Sequence, residues 1–177
     1  MDYFREEIVV KKSRGLDEAL YFMSVVIMVI MAIIAMMVLQ GMLSGGFSVY
    51  AVAVFLISGG SAVLLFLRRD RLRTEFEYTF TNGEMDFAKV FNNQKRKNLG
   101  TMRVKNVEAF GPVNSSAFQR YISMPGIKRE HWFLNRGAEL YYFYFVKDGN
   151  KRVIILEPSD EMVDIIKKFL QRGAWQA

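Results

Sequence analysis

Lys95-Arg96-Lys97, with Arg103 and Lys105 shortly after it, is the one cluster in this sequence whose charge and spacing point to a partner. Adjacent cations on a loop and the strand after it suit a surface of phosphates or carboxylates. Near an anionic leaflet each basic side chain is worth about 1 kcal/mol. The same residues also read plainly as a solvated charged loop, and both readings stay open. Catalytic chemistry has little to stand on. His131 is the only histidine and there is no cysteine, which excludes a multi-histidine metal site, a thiolate nucleophile, a Cys–His pair and Cys-based zinc or iron–sulfur centres. The redox compartment stays open. No nucleophile elbow, Walker-type loop, dinucleotide fingerprint or H-E-x-x-H motif occurs. No catalytic residue, cofactor or metal is expected, and the chain reads as non-enzymatic. Glu75, Glu77, Glu84 and Asp86 gather about one hairpin and read as a solvated face, not a cation site.

The elements that must position this cluster begin with two apolar stretches, Ala19–Leu39 and Phe47–Leu67. Each holds 21 residues without Asp, Glu, Lys, Arg or His. At 1.5 Å of rise per residue such a helix is about 31 Å long, close to the hydrocarbon thickness of a bilayer. A transmembrane hairpin is expected, with the lipid bilayer as its first partner. The first stretch is too long for a signal h-region and follows Asp17-Glu18, so it reads as a retained span. Lys11, Lys12 and Arg14 precede the hairpin; Arg68, Arg69, Arg71 and Arg73 follow it. The connector Gln40–Gly46 carries no charge. The positive-inside rule then places both termini in the cytoplasm, as in a multi-pass protein of the bacterial inner membrane. Ala32, Ala35, Gly59 and Gly60 are small residues that let helix backbones approach, within the hairpin or between copies in a homo-oligomer. Spans with no ionisable group do not line an ion pathway. The methionines of the first span read as packing; without nearby His or Cys they make no copper site.

Residues 68–177 hold 20 basic and 13 acidic residues, a net charge of +7. From Thr74 the apolar period becomes two: Phe76, Tyr78 and Phe80 alternate with Glu75, Glu77 and Thr79. Asn82-Gly83 predicts a tight hairpin to a strand at Met85–Phe91. Asn92–Asn98 reads as a polar loop, Leu99–Val104 as a third strand and Asn106–Phe110 as at most a short fourth. Residues 113–139 are poorly patterned, with one strand near His131–Leu134. Leu140–Val146 and Val153–Leu156 pair across Asp148-Gly149. Ser159 caps a final helix whose Met162, Ile165, Ile166, Phe169 and Leu170 share one face, with Gly173 closing it. The domains expected are an N-terminal segment at 1–18, the hairpin at 19–67 and a soluble domain at 74–173. Tyr3, Phe4, Ile8, Val9 and Val10 in the first suggest an interfacial segment, a small strand or a loosely ordered tail.

Antiparallel strands finished by one amphipathic helix resemble a pleckstrin-homology-like (PH-like) domain. The whole chain is similar to a group of small bacterial membrane proteins that pair two N-terminal transmembrane helices with such a domain. The stretches that carry the likeness are Phe76–Glu84, Gln94–Lys97, Val107–Pro112 and Glu157–Met162. The resemblance implies membrane association and an antiparallel barrel or sandwich closed by the C-terminal helix. It implies no particular activity. A binding or scaffolding role is expected, toward a peptide, a membrane protein or an anionic lipid surface. The alternative is a small accessory or structural subunit acting through its spans. Nucleic acid is not an expected partner, because the aromatics are of buried-strand type and the domain is tethered at a membrane.

Overall fold

The computed structural model describes residues 2–176. Its chain divides into two compact units, one of residues 13–74 with 91–94 and one of the remainder.

The first unit is the hairpin. Helix α1 runs over Gly15–Gly45 and α2 over Val49–Arg68, followed by a short 3-10 turn at Arg69–Leu72. Both helices are long and apolar enough to cross a membrane. Most of their large side chains point outward, including Phe22, Met37, Leu56 and Ile57, each more than 60 % exposed. The Gln40–Gly46 connector is shorter than its composition suggests. Gln40 through Gly45 stay helical, the Ser44 hydroxyl bonding back to the Gln40 carbonyl at 3.0 Å, and the chain leaves the helix only at Gly46, where φ is 89°.

The second unit is a two-sheet β domain. In one sheet, β1 (Phe4–Val9), β2 (Thr74–Thr81), β3 (Glu84–Phe91) and β4 (Lys95–Arg103) lie in sequence order. The other is ordered β5-β7-β8-β6, from Ala109–Pro112, Tyr141–Lys147, Asn150–Leu156 and Lys128–Trp132. The sheets do not close into a barrel. Nor is the pairing antiparallel throughout: β6 runs parallel to β8, Lys128 beside Arg152 and Trp132 beside Leu156. The N-terminal residues 4–9 are a strand at the edge of the first sheet, antiparallel to β2 from Phe4↔Thr81 to Val9↔Phe76.

The sheets face each other across the main core. Phe76, Tyr78 and Phe80 from β2 meet Phe143, Leu156 and, from helix α4 (Asp160–Phe169), Met162 and Ile166. Each fully buried Phe or Leu contributes about 1.5–3 kcal/mol. Ser159 caps α4 as its residue type requires, accepting from the Met162 amide at 3.2 Å. The helix ends before Gly173, because the tail leaves it to join β5: the Phe110 amide donates to the Ala174 carbonyl and the Gln176 amide to that of Phe110, both at 2.8 Å.

The unpatterned stretch 113–139 holds a helix as well as a strand. Helix α3, Ser116–Ile122, is capped by Ser115 and buries Phe118. Phe118, with Tyr121 and Ile122, covers the outer side of the second sheet over Tyr142, Tyr144, Val153 and Ile155. That cover explains why β7 is apolar on both faces whereas β2 alternates.

Candidate binding surface

The basic cluster belongs to β4 rather than to a loop, because Lys95 through Asn98 continue the strand. A kink in the middle sets where its side chains go. Gly100 has φ 148°, and its amide donates to Asn98 Oδ1 at 2.8 Å. Across this kink Arg96 reaches Glu77 and Arg103 reaches Glu84, each at 2.7 Å, while the Thr101 hydroxyl donates to Asp86. Glu77, Glu84 and Asp86 are therefore partners of β4 on one face of the first sheet. Exposed ion pairs of this kind stabilise little, yet they place a carboxylate beside two of the five candidate cations. Lys95, Lys97 and Lys105 make no ion pair among the described residues and stay exposed. Lys105 sits in a 3-10 turn at Val104–Asn106 and lines, with Arg103, Gly83 and Phe169, a cavity of about 240 Å³.

Beside this strand lies a feature that charge counting did not find. A cleft of about 330 Å³ opens between the last residues of β4 and of β7, lined by Thr101, Met102, Arg103, Phe145, Val146 and Lys147 among others. Two unpaired backbone edges flank it. β4 is the terminal strand of its sheet, and β5 pairs β7 only from Tyr141 to Tyr144, leaving Phe145–Lys147 beyond it. Both faces of β4 contribute to the lining, half-buried Met102 and outward Arg103, so the cleft runs along the strand's free edge. The floor is apolar, with Val146 44 % exposed, and the rim carries Lys147 and the Arg103–Glu84 ion pair. In the sequence the only trace was a β-former run longer than its partner could cover.

The span-packing residues separate. A Cβ placed on Gly59 would lie 3.9 Å from that of Ala35, so this pair packs the hairpin together, and Ala35 is buried. Gly60 faces open space, and Ala32 lines an outer groove of about 540 Å³ with Met28, Met36, Ala62 and Phe66. Among the flanking arginines, Arg68 and Arg71 are exposed. Arg69 lies over the Phe66 ring at 4.9 Å. Arg73 pairs with Glu18, stacks on Tyr21 at 3.8 Å and donates to Asn92 at 3.2 Å. Asn92 in turn donates to buried Asp70 at 3.1 Å. Arg73 thus ties the end of the hairpin to its beginning. Lys11, Lys12 and Arg14 lie on the connection from β1 to α1, where the Lys12 amide donates to Asn135 Oδ1 at 2.8 Å.

Around α4 the polar groups are occupied structurally. Ser159 donates through its amide to Glu7 at 3.0 Å and through its hydroxyl to the same carboxylate, while Arg5 bonds Glu7 at 3.0 Å and Glu161 at 3.4 Å. The Ser159 hydroxyl, the helix-terminal amide and Arg5 hold the Glu161 carboxyl below its usual range. His131 lies exposed in β6, its ring 5.9 Å from that of Phe133. Among the described residues no group of three metal-ligating side chains gathers.

A family model described as "Bacterial PH-like domain (DUF6106)" matches residues 1–176. Neither the search of curated proteins nor that of solved structures returned a match.

Proposed function

Because the chain belongs to the bacterial PH-like domain family, we propose that it is a membrane-anchored, non-catalytic binding or scaffolding module. Its two helices span the inner membrane, and its β domain works in the cytoplasm. The β1–β2 pairing supports this topology, since both ends of the hairpin must lie on one side of any bilayer that the helices cross. The basic flanks select the cytoplasmic side. In this reading α4 closes the end of the sandwich, and the partner enters at the β4 edge.

The observation that carries the proposal is the cleft between the free edges of β4 and β7. An extended peptide laid there hydrogen-bonds to strand edges, as in β-strand addition, and seats an apolar side chain over Met102, Phe145 and Val146. Lys147 at the rim, with Lys95 and Lys97 at the far end of β4, favours an acidic segment. The test places a photocrosslinking residue at Val146, and separately at Lys97, in the full chain in its membrane. A crosslinked polypeptide supports the reading. The bound segment, made synthetically, should bind the purified chain at least about tenfold more weakly after Val146→Asp. Crosslinks to lipid alone at both positions, or equal binding by the variant, would overturn it.

One observation favours a second reading, an accessory subunit acting through its spans. The groove of Met28, Ala32, Met36, Ala62 and Phe66 on the hairpin surface suits another apolar helix, from a partner or a second copy. Exchanging both spans for an unrelated hairpin separates the two: a β-domain module keeps its partner, a span-based subunit loses it.

A further inference from the structure

Exposed apolar side chains are scarce on the β domain, and three of them share one strand face. Phe4 is 66 % exposed, Ile8 56 % and Val10 41 %; among the described residues of this domain Val146 in the cleft is the other large one. Their even spacing puts all three on the outward side of β1 and its continuation, with the exposed Glu6 between Phe4 and Ile8, and away from Val9, which is buried in the core. No polar function explains them. Across the pair, Phe4 stands opposite Thr81 and Ile8 opposite Glu77, so their apolar surface has no cover from β2. A monomeric soluble domain rarely leaves such a strip on an edge strand, where it invites aggregation.

The neighbouring residues indicate what occupies the strip. Lys11, Lys12 and Arg14 come directly after Val10, and α1 begins at Gly15. At about 3.3 Å per residue, Val10 can lie no more than about 17 Å of chain from the start of that helix. Apolar side chains, then cations, then a helix that turns apolar at Ala19, after Asp17 and Glu18, set the cations where the anchor would enter the lipid phosphates. A second copy fits less well, because a symmetric antiparallel β1–β1 pair that matches Phe4 with Ile8 sets Glu6 against Glu6. We infer that the outward face of β1 rests in the interfacial layer of the bilayer, with Phe4 and Ile8 at the acyl boundary and Lys11, Lys12 and Arg14 at the lipid phosphates. This rests on the reading that the hairpin spans that bilayer.

The chain has no cysteine, so single labels are unambiguous. Phe4→Cys, Ile8→Cys, Ile30→Cys and Asn150→Cys variants of the full chain, each carrying an environment-sensitive fluorophore, are reconstituted in vesicles of phosphatidylethanolamine and phosphatidylglycerol. The vesicles contain lipids with a quencher near the headgroup or deep in the acyl chain. Labels at Phe4 and Ile8 should lose most of their emission to the shallow quencher, and the label at Asn150 should keep it. Emission at Phe4 and Ile8 no more quenched than at Asn150 overturns the inference. So does efficient disulfide crosslinking between unlabelled Phe4→Cys and Ile8→Cys copies in place of quenching, which would put a second copy on the strip. The label at Ile30 tests the underlying reading separately: without loss to the deep quencher, the hairpin does not span.

Discussion

Tyr78 shows how one residue ties the sheets together. It is fully buried in β2; its hydroxyl donates to the Trp132 carbonyl of β6 and accepts from the Glu157 amide at 3.3 Å. Burial pushes this phenol well above the usual tyrosine value, the Glu157 amide opposing and the Glu157 and Glu7 carboxylates reinforcing. That upward shift fixes the sign of the pH effect. Below about pH 10 the hydroxyl is protonated folded or unfolded and its contribution is complete. Above that, the unfolded chain loses the proton while the folded one keeps it, so stability falls as pH rises. Tyrosinate absorbance should therefore report Tyr78 ionising only as the fold is lost, and Tyr78→Phe should soften the alkaline transition. At neutral pH that variant should cost about 1–3 kcal/mol in thermal melts, because the Trp132 carbonyl is left without its donor. Gly111 is a second such point. A Cβ there would stand 1.9 Å from the Gln176 carbonyl oxygen. Gly111→Ala should expel the C-terminal tail, seen as faster proteolysis after Gln171. Neither role was legible in the sequence, since each depends on a partner far along the chain.

Among the elements, those specified by their own residues were readable in advance. Asn82-Gly83 and Asp148-Gly149 adopt the positive φ values that tight hairpins need, 47° and 92° in one and 52° and 74° in the other. Ser159 caps α4 where its sequence placed it. Elements set by distant contacts were not. β1 finds its partner beyond the whole hairpin, and β6 needs a parallel neighbour made later in the chain. The continuation of β4 through Lys95–Asn98 overrides three cations that locally favour a loop. α3 did leave a signal, Ser115 with Phe118, Tyr121 and Ile122 after it at helical spacing, but only seven residues long. Of the candidate binding surface, the cations were visible and the cleft was not, because it arises where β5 stops short of the end of β7. Two cap substitutions should differ in cost. Ser115→Ala should lower stability by about 1 kcal/mol. Ser159→Ala should cost more, because it also removes the donor to Glu7; chemical denaturation compares the two.

At the scale of the molecule, the β domain is not one stretch of chain. Residues before the hairpin supply its edge strand and residues after it supply the rest. A fragment that starts at Thr74 lacks β1 and bares the edge of β2, together with the Glu7 acceptor at the cap of α4. Such a fragment should melt below the full chain and aggregate, measurable by light scattering during a thermal ramp, and adding the β1 segment back through a short linker should restore it. The two apolar helices are thus an insertion between adjacent antiparallel strands, an outsized hairpin loop. Biosynthesis is affected by this arrangement. β1 leaves the ribosome first, yet has nothing to pair with until the whole hairpin and β2 have emerged. Left free in water, the intervening chain would make closure entropically slow. In the proposed topology, two inserted helices bring the flanking ends back to one side of the bilayer. On that proposal membrane insertion becomes a step in folding the β domain, and a chain whose helices miss the membrane should also fail to assemble its first sheet.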